Sequence, residues 1–489
     1  ALGAVMLLAS PVAAAPGSSP LLTSEGLPAR RLTVAMPPEM YATPSAAVSR
    51  TLYLERCRGG CTVHRGPNDA RTATSMIPMM QDARIGEFAS VLGLTGAAAD
   101  AEWAQLVQCM KEVYSPYNVH VTDVKPASGE GFHMAIVAGL PEDIGLGQDI
   151  LGVAPLASDC RAIDNVISFS FANHHPPEDR VLNICWTAAQ ESAHAYGLDH
   201  EYAFSNNRSA CNDPMTYRND CGGQKFFRNE AASCGETRTR ACQCGRTQNS
   251  HGKLLSVFGP GTPITQRPSI AMTLPTIGDG ALDRMVTADA GAQRGIARVE
   301  VYFNGFKWAE APGVPFERDG QPDATYQIPV PASLPNSIVD VKTIAFDDLE
   351  ITTESSTVTV TKGAPCQDAT ACATGQKCET GRCFWDPPVG EIGERCTYPQ
   401  FCKSLSCDGP ANDQVCTQTC VPELSDSCPS GFDCVATSAT RGLCQVSSGC
   451  CSVDRSGQGW LAPFALGAAL LGLVRRGRQH RRARRAPRA

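Results

Sequence analysis

Apolar positions follow a helical interval in some stretches of the chain and a strand-like one in others. In AEWAQLVQCMKEVY (101–114), Trp103, Leu106, Val107, Met110 and Val113 recur every three or four residues, which sets them on one face of a helix. VLNICWTAAQESAHAY (181–196) is Ala-rich and apolar, reads as a buried helix, and is ended by Gly197. RTLYLER (50–56), NVHVTDV (118–124), HMAIVAG (133–139) and NVISFSF (165–171) are β-branched or aromatic runs of strand length. This mixture predicts an α+β domain over 49–261, preceded by a Pro-, Ser- and Ala-rich leader at 16–48 that reads as loose.

Pro263 and Pro268 mark a linker at 262–268, after which only strand patterns appear: ARVEVYFNG (297–305), SIVDVKTIAFD (337–347) and STVTVTK (356–362). Short alternating strands without cysteine over 269–362 predict an all-β, immunoglobulin-like sandwich, whose expected role is reach. Twelve cysteines then follow between Cys366 and Cys444, with Gly-rich turns and few large apolar residues. An even count without paired C-x2-C knuckles or histidine predicts a small disulfide-rich region at 366–444 with up to six bridges, and not a zinc ribbon.

The 24 cysteines of the 489-residue chain speak for an oxidising compartment. The N-terminal run ALGAVMLLASPVAAAP, with its Ala-x-Ala step at Ala13–Ala15, predicts a signal peptide over 1–15. Net charge is −7, but residues 475–489 hold eight Arg and no acid, which leaves −15 on the remainder. A body so acidic is a poor partner for nucleic acid. At the other end, Cys450-Cys451 precedes an apolar helix at 460–474 and the Arg-rich tail at 475–489. Fifteen residues rise only about 22 Å against a hydrocarbon core of about 30 Å, a marginal span with its basic end inside.

Residues 450–489 together resemble the myxobacterial MYXO-CTERM sorting signal. That resemblance implies a sorting protease acting near Cys450 or Cys451, and a body attached to the cell surface or outer membrane, or released. A permanent tail anchor is the alternative.

Chemistry concentrates in Gln190-Glu191-Ser192-Ala193-His194-Ala195-Tyr196-Gly197-Leu198-Asp199-His200-Glu201, followed by Asp213-Pro214-Met215-Thr216-Tyr217. Positions 190 and 194 are one helical turn apart, and Gly197 can take the positive φ that turns the chain and brings His200 back toward His194. Two imidazoles beside a carboxylate suit a catalytic zinc.

This stretch resembles the metzincin zinc-peptidase signature H-E-x-x-H-x-x-G-x-x-H with its downstream Met-turn, in the astacin- and serralysin-like form. The resemblance covers roughly 50–260 and implies a zincin domain. It departs at one position, where Gln190 stands for the first histidine ligand. It implies that His194 and His200 hold Zn2+, with Gln190 or a water in third place. Glu191 is then the general base, Tyr217 steadies the oxyanion and Met215 floors the site. Cys211 and Cys221 flank the Met-turn and are expected to bridge. His174-His175, in a Pro-flanked loop, reads as a solvated edge and is the first place to seek a substitute ligand.

The expectation is an exported, surface-attached zinc endopeptidase that cleaves extracellular proteins or peptides. A catalytically silent head that binds a protein or glycan is the alternative, and Gln190 keeps both open.

Overall fold

The computed structural model describes residues 22–36, 48–204, 209–218, 224–277, 280–313, 324–410, 413–420, 427–437 and 442–446. The expected signal peptide, Cys221, Cys450, Cys451, the apolar helix at 460–474 and the Arg-rich tail lie outside the described residues. The chain is mixed α/β, built mostly of sheets, and forms two compact units, one through Trp385 and one from Asp386. Among the described residues, no helix is long and apolar enough to cross a membrane.

The first unit opens with β1 (Arg30–Met36) and β2 (Thr51–Glu55), then a small sheet of β3 (Cys61–Arg65), β4 (Thr74–Ser75) and β5 (Asp82–Ile85). Helix α1 (Asp100–Tyr114), β6 (His120–Thr122), β7 (His133–Val137), β8 (Ile150–Ala157), β9 (Ile167–Ser170) and α2 (Arg180–His194) follow. The main sheet has the order β1-β8-β9-β7-β2-β6. Only the β8–β9 pair is antiparallel, and β1 adds in parallel to the outer side of β8. Helix α2 lies across β7, β8 and β9, and α1 packs beside α2. Trp103, Leu106, Val107, Met110 and Val113 are all buried on α1, and the Cys109–Cys185 disulfide ties the two helices together.

Of the strands that the sequence patterns miss, two shape the site. Every residue of β8, ILGVAPLA, is buried, so it carries no alternation to distinguish it from a buried helix. The leader is not loose throughout. In β1, Leu32 and Val34 are partly buried and Met36 fully, and Met36 packs with Ala157, Ile163, Val166 and Ala195. The alternation is present in RRLTVAM but is overshadowed by the Pro- and Ser-rich residues around it.

Beyond α2 come β10 (Glu201–Phe204), β11 (Ala232–Cys234) and α3 (Ser250–Phe258). A β-sandwich then follows. One antiparallel sheet is β12 (Ser269–Met272), β13 (Met285–Gly291) and β16 (Ala324–Pro329). The other holds β14 (Arg298–Phe303), β15 (Phe306–Pro312) and β17 (Ser337–Phe346), with β18 (Thr352–Glu354) and β19 (Val358–Lys362) both pairing with β17. Val286, Tyr326 and Ile328 from the first sheet share a core with Val299, Val301, Phe303, Val339 and Val341 from the second. Head and sandwich meet through a charge cluster in which Arg228 of the head and Arg294 of the sandwich both bond Asp348.

The disulfide-rich region is a threefold repeat of four-cysteine modules. Each joins its first cysteine to its third and its second to its fourth: Cys366–Cys378 with Cys372–Cys383, Cys396–Cys407 with Cys402–Cys416, and Cys420–Cys434 with Cys428–Cys444. The first module, with hairpin β20 (Lys377–Glu379) and β21 (Arg382–Phe384), belongs to the first unit, where Trp385 packs edge-on to Phe306 and tilted against Trp308. The other two lie in the second unit.

Candidate metal centre

Helix α2 is buried along nearly its whole length, which an Ala-rich sequence permits because small side chains let neighbouring strands approach closely. Its last residue is His194. The chain then turns at Gly197, where φ is +90° and an added Cβ would lie 2.0 Å from the Cys160 carbonyl oxygen. Only glycine fits there on both counts. The turn returns His200 to His194, with ring centroids 4.5 Å apart and the two Nε2 atoms 3.0 Å apart.

The other nitrogen of each ring decides what those Nε2 atoms are. His194 Nδ1 lies 2.7 Å from the Leu198 carbonyl oxygen, and His200 Nδ1 lies 3.0 Å from Glu236 Oε1. Both partners only accept, so in each neutral ring Nδ1 carries the hydrogen and Nε2 presents its lone pair. Burial, His200 and Arg31 bring His194 down to about 3, and burial lowers His200 as well. Two lone pairs thus face each other across 3.0 Å in a site that resists protonation. His194 and His200 are the residues that would hold a divalent ion through these two nitrogens.

Glu191, one residue past Gln190, is fully buried, and neither of its carboxylate oxygens has a hydrogen-bond partner. Burial pushes it well above the usual carboxylate range, with Arg31 pulling the other way. It rests on Gly152 of β8, where an added Cβ would come within 2.5 Å of Glu191 Oε1. The bare imidazole pair suits a divalent cation. The cysteine triplets elsewhere offer no thiolate, because every one of their members is disulfide-bonded.

Gln190 is turned to other work. Its Oε1 accepts from Arg31 Nη1 at 2.8 Å and its Nε2 donates to the Met215 carbonyl at 3.0 Å. The amide expected as a possible third donor is therefore engaged on both sides, because a strand from the leader delivers a guanidinium to it. Met215 is fully buried in the core of the head, and its carbonyl also accepts from the Glu201 amide. The Tyr217 ring stands edge-on to His200 at 4.7 Å, and its hydroxyl accepts from the Arg31 amide at 2.8 Å. Burial raises the Tyr217 phenol, so it stays protonated. Cys211 is disulfide-bonded, and Cys221 lies outside the described residues.

His174 and His175 are not a solvated edge. They are 2% and 3% exposed because the leader covers them, with Ser24 bonded to His174 through both backbone and side chain. Neither forms a three-donor group with His194 and His200.

Three participants were not read from the motif. Glu236 orients His200, and the His200 bond together with Arg240 holds it at about 2. Arg240 also grips Asp199 at 2.6 and 2.8 Å, and Asp199 accepts from the His200 amide. Arg31 comes from the leader, and only the strand-like alternation of RRLTVAM could have drawn attention to it. A cavity of about 1030 Å³ opens beside the site, lined by Leu27, Arg31, His200, Tyr202, Tyr217 and Glu236 among others.

No protein-family model matches the chain, and no curated protein matches it. Among solved structures it is similar to wild-type OgpA from Akkermansia muciniphila crystallised in P 41 21 2, with a TM-score of 0.19 and 10% identity over 65% of this chain and 95% of that one. It is also similar to catalytically inactive OgpA from the same organism in complex with an O-glycopeptide (glycodrosocin) substrate. There the TM-score is 0.14, with 8% identity over 48% of this chain and 65% of that one.

Proposed function

We propose that the head is a metal-dependent endopeptidase of metzincin type, zinc being the expected ion, carried on an exported chain whose C-terminal tail serves cell-surface attachment. The observation that supports this most is the pair of bare Nε2 atoms 3.0 Å apart, at the end of the helix that also carries the partnerless Glu191 carboxylate. His194 and His200 hold the ion, and Glu236 and Leu198 fix the tautomers that let them do so. When bound, the ion supplies Lewis acidity toward a peptide carbonyl and makes a water easier to deprotonate.

The chain's own groups do the rest. Glu191, buried and without a hydrogen-bond partner, takes a proton from the attacking water and returns it to the leaving amine. Tyr217 accepts from the Arg31 amide and keeps its own hydroxyl hydrogen to donate to the developing oxyanion. The cavity beside His200 and Tyr217 is open to substrate groups.

One observation favours the second reading, a silent head that binds a protein or glycan: the Gln190 amide is committed to Arg31 and Met215. Metal analysis of the purified chain, with cleavage of casein and an O-glycosylated peptide, separates the two. The peptidase reading expects zinc uptake and a cleavage rate that Glu191→Gln lowers by about 10²–10⁴-fold. A chain that takes up no metal and cleaves neither substrate, in the wild type or after Gln190→His, refutes it.

A further inference from the structure

We infer that Arg31 is a built-in competitor for the metal: the leader strand holds the site in a low-affinity form by capturing the Gln190 oxygen and setting a fixed positive charge beside the imidazole pair. This rests on the peptidase reading of the site and adds a control to it.

The placement of Arg31 is unusual for a strand residue. It shares a face of β1 with Thr33 and Ala35, which are exposed, yet it is 2% exposed itself. One nitrogen, Nη1, donates both to Gln190 Oε1 and to the Thr216 carbonyl, each at 2.8 Å. The backbone amide of the same residue donates to Tyr217 Oη, and its guanidinium carbon lies 5.8 Å from the Tyr217 ring centre. One residue of the leader therefore engages Gln190, Thr216 and Tyr217.

Arg31 does not satisfy Glu191 by hydrogen bonding. Its Nη2 and both Glu191 oxygens are buried without partners, whereas an arginine placed to neutralise a carboxylate forms a two-pronged bond. What Arg31 does hold is the amide that could serve as the third donor. Its guanidinium carbon lies 5.8 Å from the centre of the Tyr217 ring, which itself stands 4.7 Å from the His200 ring, so a fixed positive charge close to the imidazoles opposes a divalent ion. A buried guanidinium with a partnerless Nη2 is costly, and that cost offsets part of what its bonds to Gln190 and Thr216 contribute.

Withdrawal is mechanically simple. β1 is the edge of the main sheet and pairs with β8 alone, so its loss leaves β9, β7, β2 and β6 in register. It also bares the β8 edge next to Glu191, where an extended peptide can pair through its backbone. The control and the substrate site therefore share one edge.

The test measures zinc affinity of the full chain by competition with a chromogenic chelator. Arg31→Met should bind zinc about tenfold or more tightly than wild type. Arg31→Lys keeps the charge and a single nitrogen able to donate to both Gln190 and Thr216, and should bind zinc less tightly than Arg31→Met. Adding Gln190→Ala to Arg31→Met should take back part of the gain. Equal affinity in wild type and Arg31→Met overturns the inference. If Arg31→Met does not fold, trypsin cleavage after Arg31 in the wild type decides the matter. The rate should rise at millimolar zinc, and an unchanged rate overturns the inference. Gln190→His tells the two failures apart. If it binds zinc and cleaves peptide while Arg31→Met matches wild type, only the competition is wrong; if it binds none, the peptidase reading falls.

Discussion

Replacing Asp348 with Asn tests how the head is fixed to the sandwich that follows it. Arg294 Nε and Nη2 lie 2.7 and 2.9 Å from the two Asp348 oxygens, and Arg228 Nη1 lies 3.0 Å from one of them. Arg228 Nη1 also donates to the Arg294 carbonyl at 2.6 Å, and both guanidinium groups sit near the Phe226 ring. Against burial, which raises it, Arg294 and Arg228 hold the Asp348 carboxyl at about 2, below its ordinary 3.8.

A depressed carboxylate stabilises the fold fully above its unfolded value, and that stability drains away as pH falls through the folded one. The shift corresponds to about 2 kcal/mol at neutral pH. Removing one partner from a buried pair costs about 3–5 kcal/mol. The Asp348 side chain is 21% exposed, so the expected loss for Asp348→Asn lies near the lower end, about 2–3 kcal/mol.

The assay is denaturant unfolding of wild type and Asp348→Asn at a series of pH values from 7 down to 2, followed by tryptophan fluorescence. The variant should unfold at lower denaturant at pH 7, and the difference should shrink between about pH 4 and pH 2 as wild-type Asp348 protonates. A difference below about 0.5 kcal/mol at pH 7, or one independent of pH, refutes the reasoning, because it would mean that neither guanidinium depends on this carboxylate.

Gly152→Ala should damage catalysis more than folding. The new Cβ would meet Glu191 Oε1, Cγ and Cδ at 2.5, 2.7 and 2.8 Å, so the carboxylate must move by about 1 Å, which is worth roughly 10²-fold in kcat/KM. Casein cleavage unchanged in Gly152→Ala would show that Glu191 is not the base. The Glu191→Gln protein should be at least as stable as wild type, since it removes a buried carboxylate that has no hydrogen-bond partner; a marked drop in its melting temperature contradicts that. Replacing Cys109 and Cys185 with Ala should cost about 2–5 kcal/mol, because the bridge spans 76 residues and joins the two main helices; equal denaturation midpoints would count against this.

Local patterns carried much of the architecture. α1 and α2 are legible because apolar residues at helical intervals have few other ways to be buried, and the sandwich because alternation matches the pleat. The convergence of His194 and His200 is legible for a similar reason: six residues, with a glycine between them, allow one tight turn and little else. β8 was illegible because burial on both faces erases alternation, and the burial of His174 and His175 because a distant segment covers them.

The amino-acid order alone thus determined that two imidazoles meet at the end of one buried helix that also carries a carboxylate, since the two histidines lie six residues apart and local backbone geometry suffices. What surrounds them was decided by the tertiary structure. Arg31 lies 159 residues from Gln190, and Glu236 lies 36 from His200. Sheet pairing and loop packing bring them in, and these depend on how the whole chain buries its apolar surface, which no short window of sequence contains.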